Sequence, residues 1–191
     1  MAYRKLVVPV DYGANRNWYI SDASVATIEA AAAFLKRHAG GHVIGFGNAD
    51  LPEYGMLKEN SSEQKHALFD ALQKKYVLRF EAPERTSREE AENIRGVLAK
   101  NGIEVERVIL FCDRWHARIG GLRGIWEEAF PGVPIEVHTI RCHFGNDYAC
   151  TYMRSELKWI THNLIRLALL KLGLLDRVTE WRMRRFRKRI G

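Results

Sequence analysis

Residues 107–112 read Arg107-Val108-Ile109-Leu110-Phe111-Cys112, and no polar side chain interrupts the run after Arg107. Side chains along a strand alternate between the two faces of a sheet. A strand this apolar therefore needs cover on both faces, which suits a central strand of a parallel sheet. The segment before it is helical in pattern. Ala91, Ile94, Val97 and Leu98 share one helical face, and Asn101-Gly102 ends it.

The same alternation recurs along the chain. A first strand is expected over 5–10, then a helix from a Ser21-Asp22 cap to about residue 38, with Val25, Ile28, Ala32 and Leu35 on one face. Gly40-Gly41 stops it, and a second strand follows over 42–47. Residues 51–60 are irregular, with Pro52 and Gly55, and read either as a flap or as a plain connection. A helix over 61–75 and a third strand over 76–80 come next. Thr86-Ser87-Arg88-Glu89 fits a capping box, as does Ser87 with Glu90, for the helix that leads to the strand at 107–112. A single helix over 115–130 and a fifth strand over 134–140 complete the series. The expected fold is α/β: a three-layer, Rossmann-like arrangement with a mainly parallel sheet of about five strands, plus C-terminal helices.

Ligands of open parallel sheets sit outside the carboxyl ends of the strands. The polar clusters at 81–86 and 113–118 directly follow expected strands, so both fall on that rim. His116, Glu81 and Asp113 are the catalytic candidates. His116 titrates nearest neutral pH and would donate or accept a proton. Glu81 and Glu63 would orient a hydroxyl or amine, or act as base. Arg85, Arg114 and Arg118 are candidate anion contacts, able to bind bidentately. Thr86 stands beside them. The first loop, with Asp11, Gly13 and Asn15, and the loop at Gly47-Asn48 would bring backbone close to a ligand. The first loop lacks GxGxxG, so it is not a dinucleotide fingerprint. His143 lies in a third such loop with Cys142 and Asp147 and reads as a lining residue. No CxxC or HxxxH spacing is present there, and no metal is assigned. For each loop taken alone, solvated charge and plain turn remain the competing reading.

These residues carry a family resemblance. Glu81, Arg85, Thr86 and Glu89-Glu90-Ala91, then Ile109-Leu110-Phe111-Cys112-Asp113-Arg114-Trp115-His116, resemble the signatures of the YdcF/SanA/ElyC-like family. This is a widespread bacterial group with an assigned domain and no settled general activity. Glu63, opening a helix after Gly45-Phe46-Gly47, is similar to the family's Ser-Glu-Ala position. The likeness runs from residue 5 to about 140. Its His-x-x-Arg-Ala signature reads His116-Ala117-Arg118-Ile119-Gly120 here, with the arginine one place early, and the Thr or Ser before that loop is Cys112-Asp113. The resemblance implies a pocket on the carboxyl rim, a nucleotide-like ligand such as S-adenosylmethionine, and a link to cell-envelope processes. If the rim is catalytic, phosphoester hydrolysis or group transfer fits its residues better than redox chemistry.

Charge separates the tail from the body. Residues 154–191 hold 11 Lys/Arg against 3 Asp/Glu, a net of +8, while the remaining residues hold 19 against 20. The expected division is an α/β body over 1–153 and a helical extension over 154–191 that packs on it. In that extension Leu157, Ile160, Leu164, Ala168 and Leu172 form one stripe, expected to face the body. Residues 177–189 are strongly basic with interleaved aromatics: they read first as a packed last helix with a solvated basic face, and Arg177 to Arg189 suit an anionic membrane surface as the alternative functional reading. Nucleic acid ranks below both a small-molecule ligand and a membrane, because the body itself is near neutral. Three cysteines, Cys112, Cys142 and Cys150, suit a reducing cytosol. A cytoplasmic protein is expected, with the inner membrane face as the alternative location.

Overall fold

A computed structural model describes residues 5–12, 20–38, 42–46, 86–148 and 151–181. Strands β1 (Lys5–Pro9), β2 (His42–Ile44), β3 (Arg107–Asp113) and β4 (Ile135–Ile140) form one all-parallel sheet in the order β2-β1-β3-β4. The fold is α/β, in line with a Rossmann-like three-layer arrangement. Four strands are described, one fewer than expected. The strand at 76–80 and the helix at 61–75 fall outside the described residues, as does the stretch at 51–60.

Both faces of the sheet are apolar, as the run in β3 requires. Val7, Ile44, Ile109 and Phe111 point to one face and meet Ile28, Ala31, Phe34 and Leu35 of helix α1 (Asp22–Arg37). Leu6, Val8, Val108 and Leu110 point to the other. They meet Ile94 and Leu98 of helix α2 (Ser87–Lys100), together with Leu122 and Trp126 farther along the chain. Both long helices begin on caps that the sequence announces. Ser21 Oγ accepts from the Ser24 N–H at 3.2 Å, and Thr86 Oγ1 from the Glu89 N–H at 3.1 Å.

The helix expected over 115–130 is two helices, α3 (Arg114–Ile119) and α4 (Leu122–Ala129). Gly121 sits between them in the left-handed region, at φ +66°. Its neighbour Gly120 makes the close approach. A Cβ at Gly120 would lie 2.6 Å from the His116 carbonyl oxygen and 2.8 Å from Asn163 Oδ1.

Asn163 belongs to helix α5 (Glu156–Lys171), which corrects a second expectation. The aliphatic stripe does not face the body. Leu157, Leu164 and Leu172 are 73%, 50% and 69% exposed. The inward face carries Trp159, Asn163 and Arg166 instead: Trp159 and Arg166 have hydrogen-bond partners at the rim of the sheet, and Asn163 donates to the Trp159 carbonyl within the helix. Buried polar groups need such partners, and this outweighs the burial of leucines. No helix among the described residues is long and apolar enough to cross a membrane.

Candidate functional site

The strand order reverses between β1 and β3, and there the two carboxyl ends lie side by side. The Val10 N–H still donates to the Phe111 carbonyl at 2.9 Å, so the pair runs just past β1. Asp11 and Tyr12 then leave one strand beside Cys112 and Asp113 of the other.

Tyr12 is buried here. Its hydroxyl oxygen accepts the Asp113 N–H at 2.7 Å and lies 3.2 Å from His116 Nδ1. His116, on α3, is 3% exposed, and its Nε2 lies 2.7 Å from an Arg166 guanidinium nitrogen. A guanidinium can only donate, so Nε2 carries no proton and Nδ1 does. The tautomer is therefore fixed, with Nδ1–H donating to Tyr12. Burial, with the Arg166 cation next in size, holds the His116 pKa well below its ordinary value, so the ring is neutral. Burial also pushes the Tyr12 phenol well above its ordinary value. The second Arg166 nitrogen donates to Ser87 Oγ at 2.8 Å, at the start of α2. One chain of hydrogen bonds thus joins α2, α5, α3 and the two central strands.

Asp113 is fully buried and caps α3. Its Oδ1 accepts from the Trp115 N–H at 2.8 Å, the His116 N–H at 3.4 Å and the Trp159 indole N–H at 2.7 Å. Its Oδ2 has no hydrogen-bond partner among the described residues, and neither does Nε of the adjacent Arg114. The Arg114 guanidinium pairs with Glu156, which also accepts from the Trp115 indole N–H at 2.6 Å. The Trp115 bond and then Arg114 hold the Glu156 carboxyl below the usual range.

The other expected site residues divide clearly. Asp11 accepts from Ser24 Oγ at 2.5 Å and, with Ser24, Thr27 and Phe46, lines a shallow depression beside β1. Thr86 caps α2. Arg118 is exposed, 6.0 Å from the Trp115 ring. His143 is exposed, and its carbonyl accepts the Tyr148 hydroxyl at 2.7 Å. Glu81, Arg85, Glu63, Gly13, Asn15, Gly47 and Asn48 lie outside the described residues. Asp113, Arg114 and His116 are therefore together, but His116 and Asp113 face the interior rather than an open rim.

Sequence reasoning missed Tyr12, Ser87, Trp159, Asn163 and Arg166. One signal was available, since residues 159, 163 and 166 repeat at helical spacing and define a polar face opposite the leucines. The Cys112 thiol is pushed up to about 12 by burial and then by Asp113, and Cys142 moves the same way. Neither offers a thiolate near neutral pH. Among the described residues, no three His, Cys, Asp or Glu side chains gather where they could hold a metal ion.

No protein-family model, curated protein or solved structure matches this chain.

Proposed function

We propose that this chain binds a small molecule at the carboxyl rim where β1 and β3 meet. The ligand carries a hydrogen-bond donor and an anionic group, as a nucleotide-like or phosphate-bearing molecule does. One observation carries the proposal: at the carboxyl end of β1, beside the switch point, Asp11 lines a shallow depression with Ser24, Thr27 and Phe46, the kind of place where ligands of parallel sheets sit. A ligand hydroxyl or amine would donate to the Asp11 carboxylate there. Arg118, exposed one helical turn beyond Arg114, supplies the cation for the anionic group. S-adenosylmethionine has the required amine and carboxylate and is the ligand that the family resemblance favours.

The test is a thermal-shift panel of S-adenosylmethionine, nucleotides and sugar phosphates. Wild type is run beside Asp11→Asn and Arg118→Ala. A ligand at 100 times its Kd adds about 2.7 kcal/mol of stability. The proposal expects at least one compound to do this and both variants to reduce the shift. Because Arg118 is exposed, its variant should fold normally and separates lost binding from lost structure. No shift with any compound, or an equal shift in all three proteins, refutes the proposal.

A further inference from the structure

Helix α5 has an outward arc with a definite order of side chains. Successive residues advance by about 100° around a helix. On that projection Leu164, Leu157, Leu172 and Ile165 lie next to one another, with Ala168 and Thr161 among them. Lys171 falls at one margin of this group and Lys158 at the other. All eight are exposed, and together they cover roughly 140° of the helix. No acidic residue lies on the arc. Glu156, just before it, is paired with Arg114. Farther along the chain Leu174 and Trp181 are also exposed, at 38% and 57%.

We propose that this arc of α5 docks in the plane of an anionic lipid surface. An apolar strip with a lysine at each edge suits a headgroup boundary. The leucines enter the acyl edge, while the lysine stems lie along it and their ammonium groups reach the phosphates. The strip from Leu157 to Leu172 is roughly 22 Å long, enough to lie along a surface. Its charge complements anionic lipid and not a second copy of itself. Two such arcs face to face would offer the lysine margins no carboxylate. The sequence after Trp181 adds Arg182, Arg184, Arg185, Arg187, Lys188 and Arg189 to the same end of the chain. Attraction to anionic headgroups grows with each such residue. Docking here is independent of any ligand at the sheet rim.

The experiment is sedimentation of the full chain with vesicles of phosphatidylcholine alone or mixed with phosphatidylserine. Wild type should pellet with the mixed vesicles and stay in solution with the neutral ones. Leu164→Gln combined with Leu172→Gln should weaken mixed-vesicle binding by about tenfold or more, since each leucine leaves an apolar contact. Lys158→Glu combined with Lys171→Glu should weaken it by about tenfold as well. These side chains are exposed, so the melting temperatures should not change. Failure of wild type to pellet overturns the proposal. So does undiminished pelleting of the leucine variant, which would assign binding to residues 177–189. Loss of a solution dimer in the leucine variant would assign the arc to a second copy and overturn it too.

Discussion

Neutral His116 makes stability depend on pH in a calculable way. Its two ring nitrogens are occupied, one donating to Tyr12 and the other accepting from Arg166. A second proton would sit on Nε2, facing a guanidinium. The unfolded chain has no such constraint and protonates its histidine near the ordinary value of 6.5. Above that value both states hold the neutral ring, and the contribution is complete. Below it the unfolded state binds a proton that the folded state refuses, so stability falls with pH. The slope is about 1.4 kcal/mol per pH unit until the lowered folded pKa is reached. For a chain of this length that slope lowers Tm by roughly 3–6 °C per pH unit. His116→Gln keeps an acceptor near Arg166 but cannot titrate. Thermal unfolding of both proteins across this range should show wild type losing that much more than the variant. Equal slopes would refute the buried neutral imidazole, as would a His116 NMR signal titrating near its ordinary value.

Three further outcomes follow from the packing. Gly120→Ala forces a Cβ to within 2.6 Å of the His116 carbonyl, so urea unfolding should show a loss of roughly 1–3 kcal/mol or more. Trp126→Ala empties the site of a fully buried indole and should cost roughly 3–5 kcal/mol by the same measurement. Cys112 and Cys142 are buried with raised pKa values, so iodoacetamide near neutral pH should leave both unmodified in the native protein and label both in denaturant, as mapped by mass spectrometry.

The sheet was legible because its signals are local. The run through Phe111 and Cys112 demanded cover on both faces, and α1, α2 and α4 provide it. The caps at Ser21 and Thr86 were legible because each partner is three residues away. The placement of α5 was not. Its leucine stripe promised burial, but Trp159 and Arg166 turn inward because Asp113 and His116 await them 46 and 50 residues back. No local pattern shows that demand. The break at Gly120-Gly121 was missed for a related reason, since those glycines make room for Asn163 and Leu170 of another helix. At the site, strand ends were enough to bring Asp113 and His116 to one rim. They were not enough to show that both would point inward, because Tyr12 lies about a hundred residues earlier.

The position of β1 between β2 and β3 also sets a schedule for synthesis. Lys5 pairs with His42 on one side and with Arg107 on the other. At about 5–20 residues per second, the second neighbour leaves the ribosome roughly 5–20 seconds after the first strand. Until then Leu6, Val7 and Val8 present an open, apolar strand edge to solvent, the kind of edge that invites pairing with another chain. Arg166 follows only after a further 50 or so residues, so the buried histidine is sealed last. A nascent chain stalled between those two points would hold an assembled sheet with an unguarded polar rim.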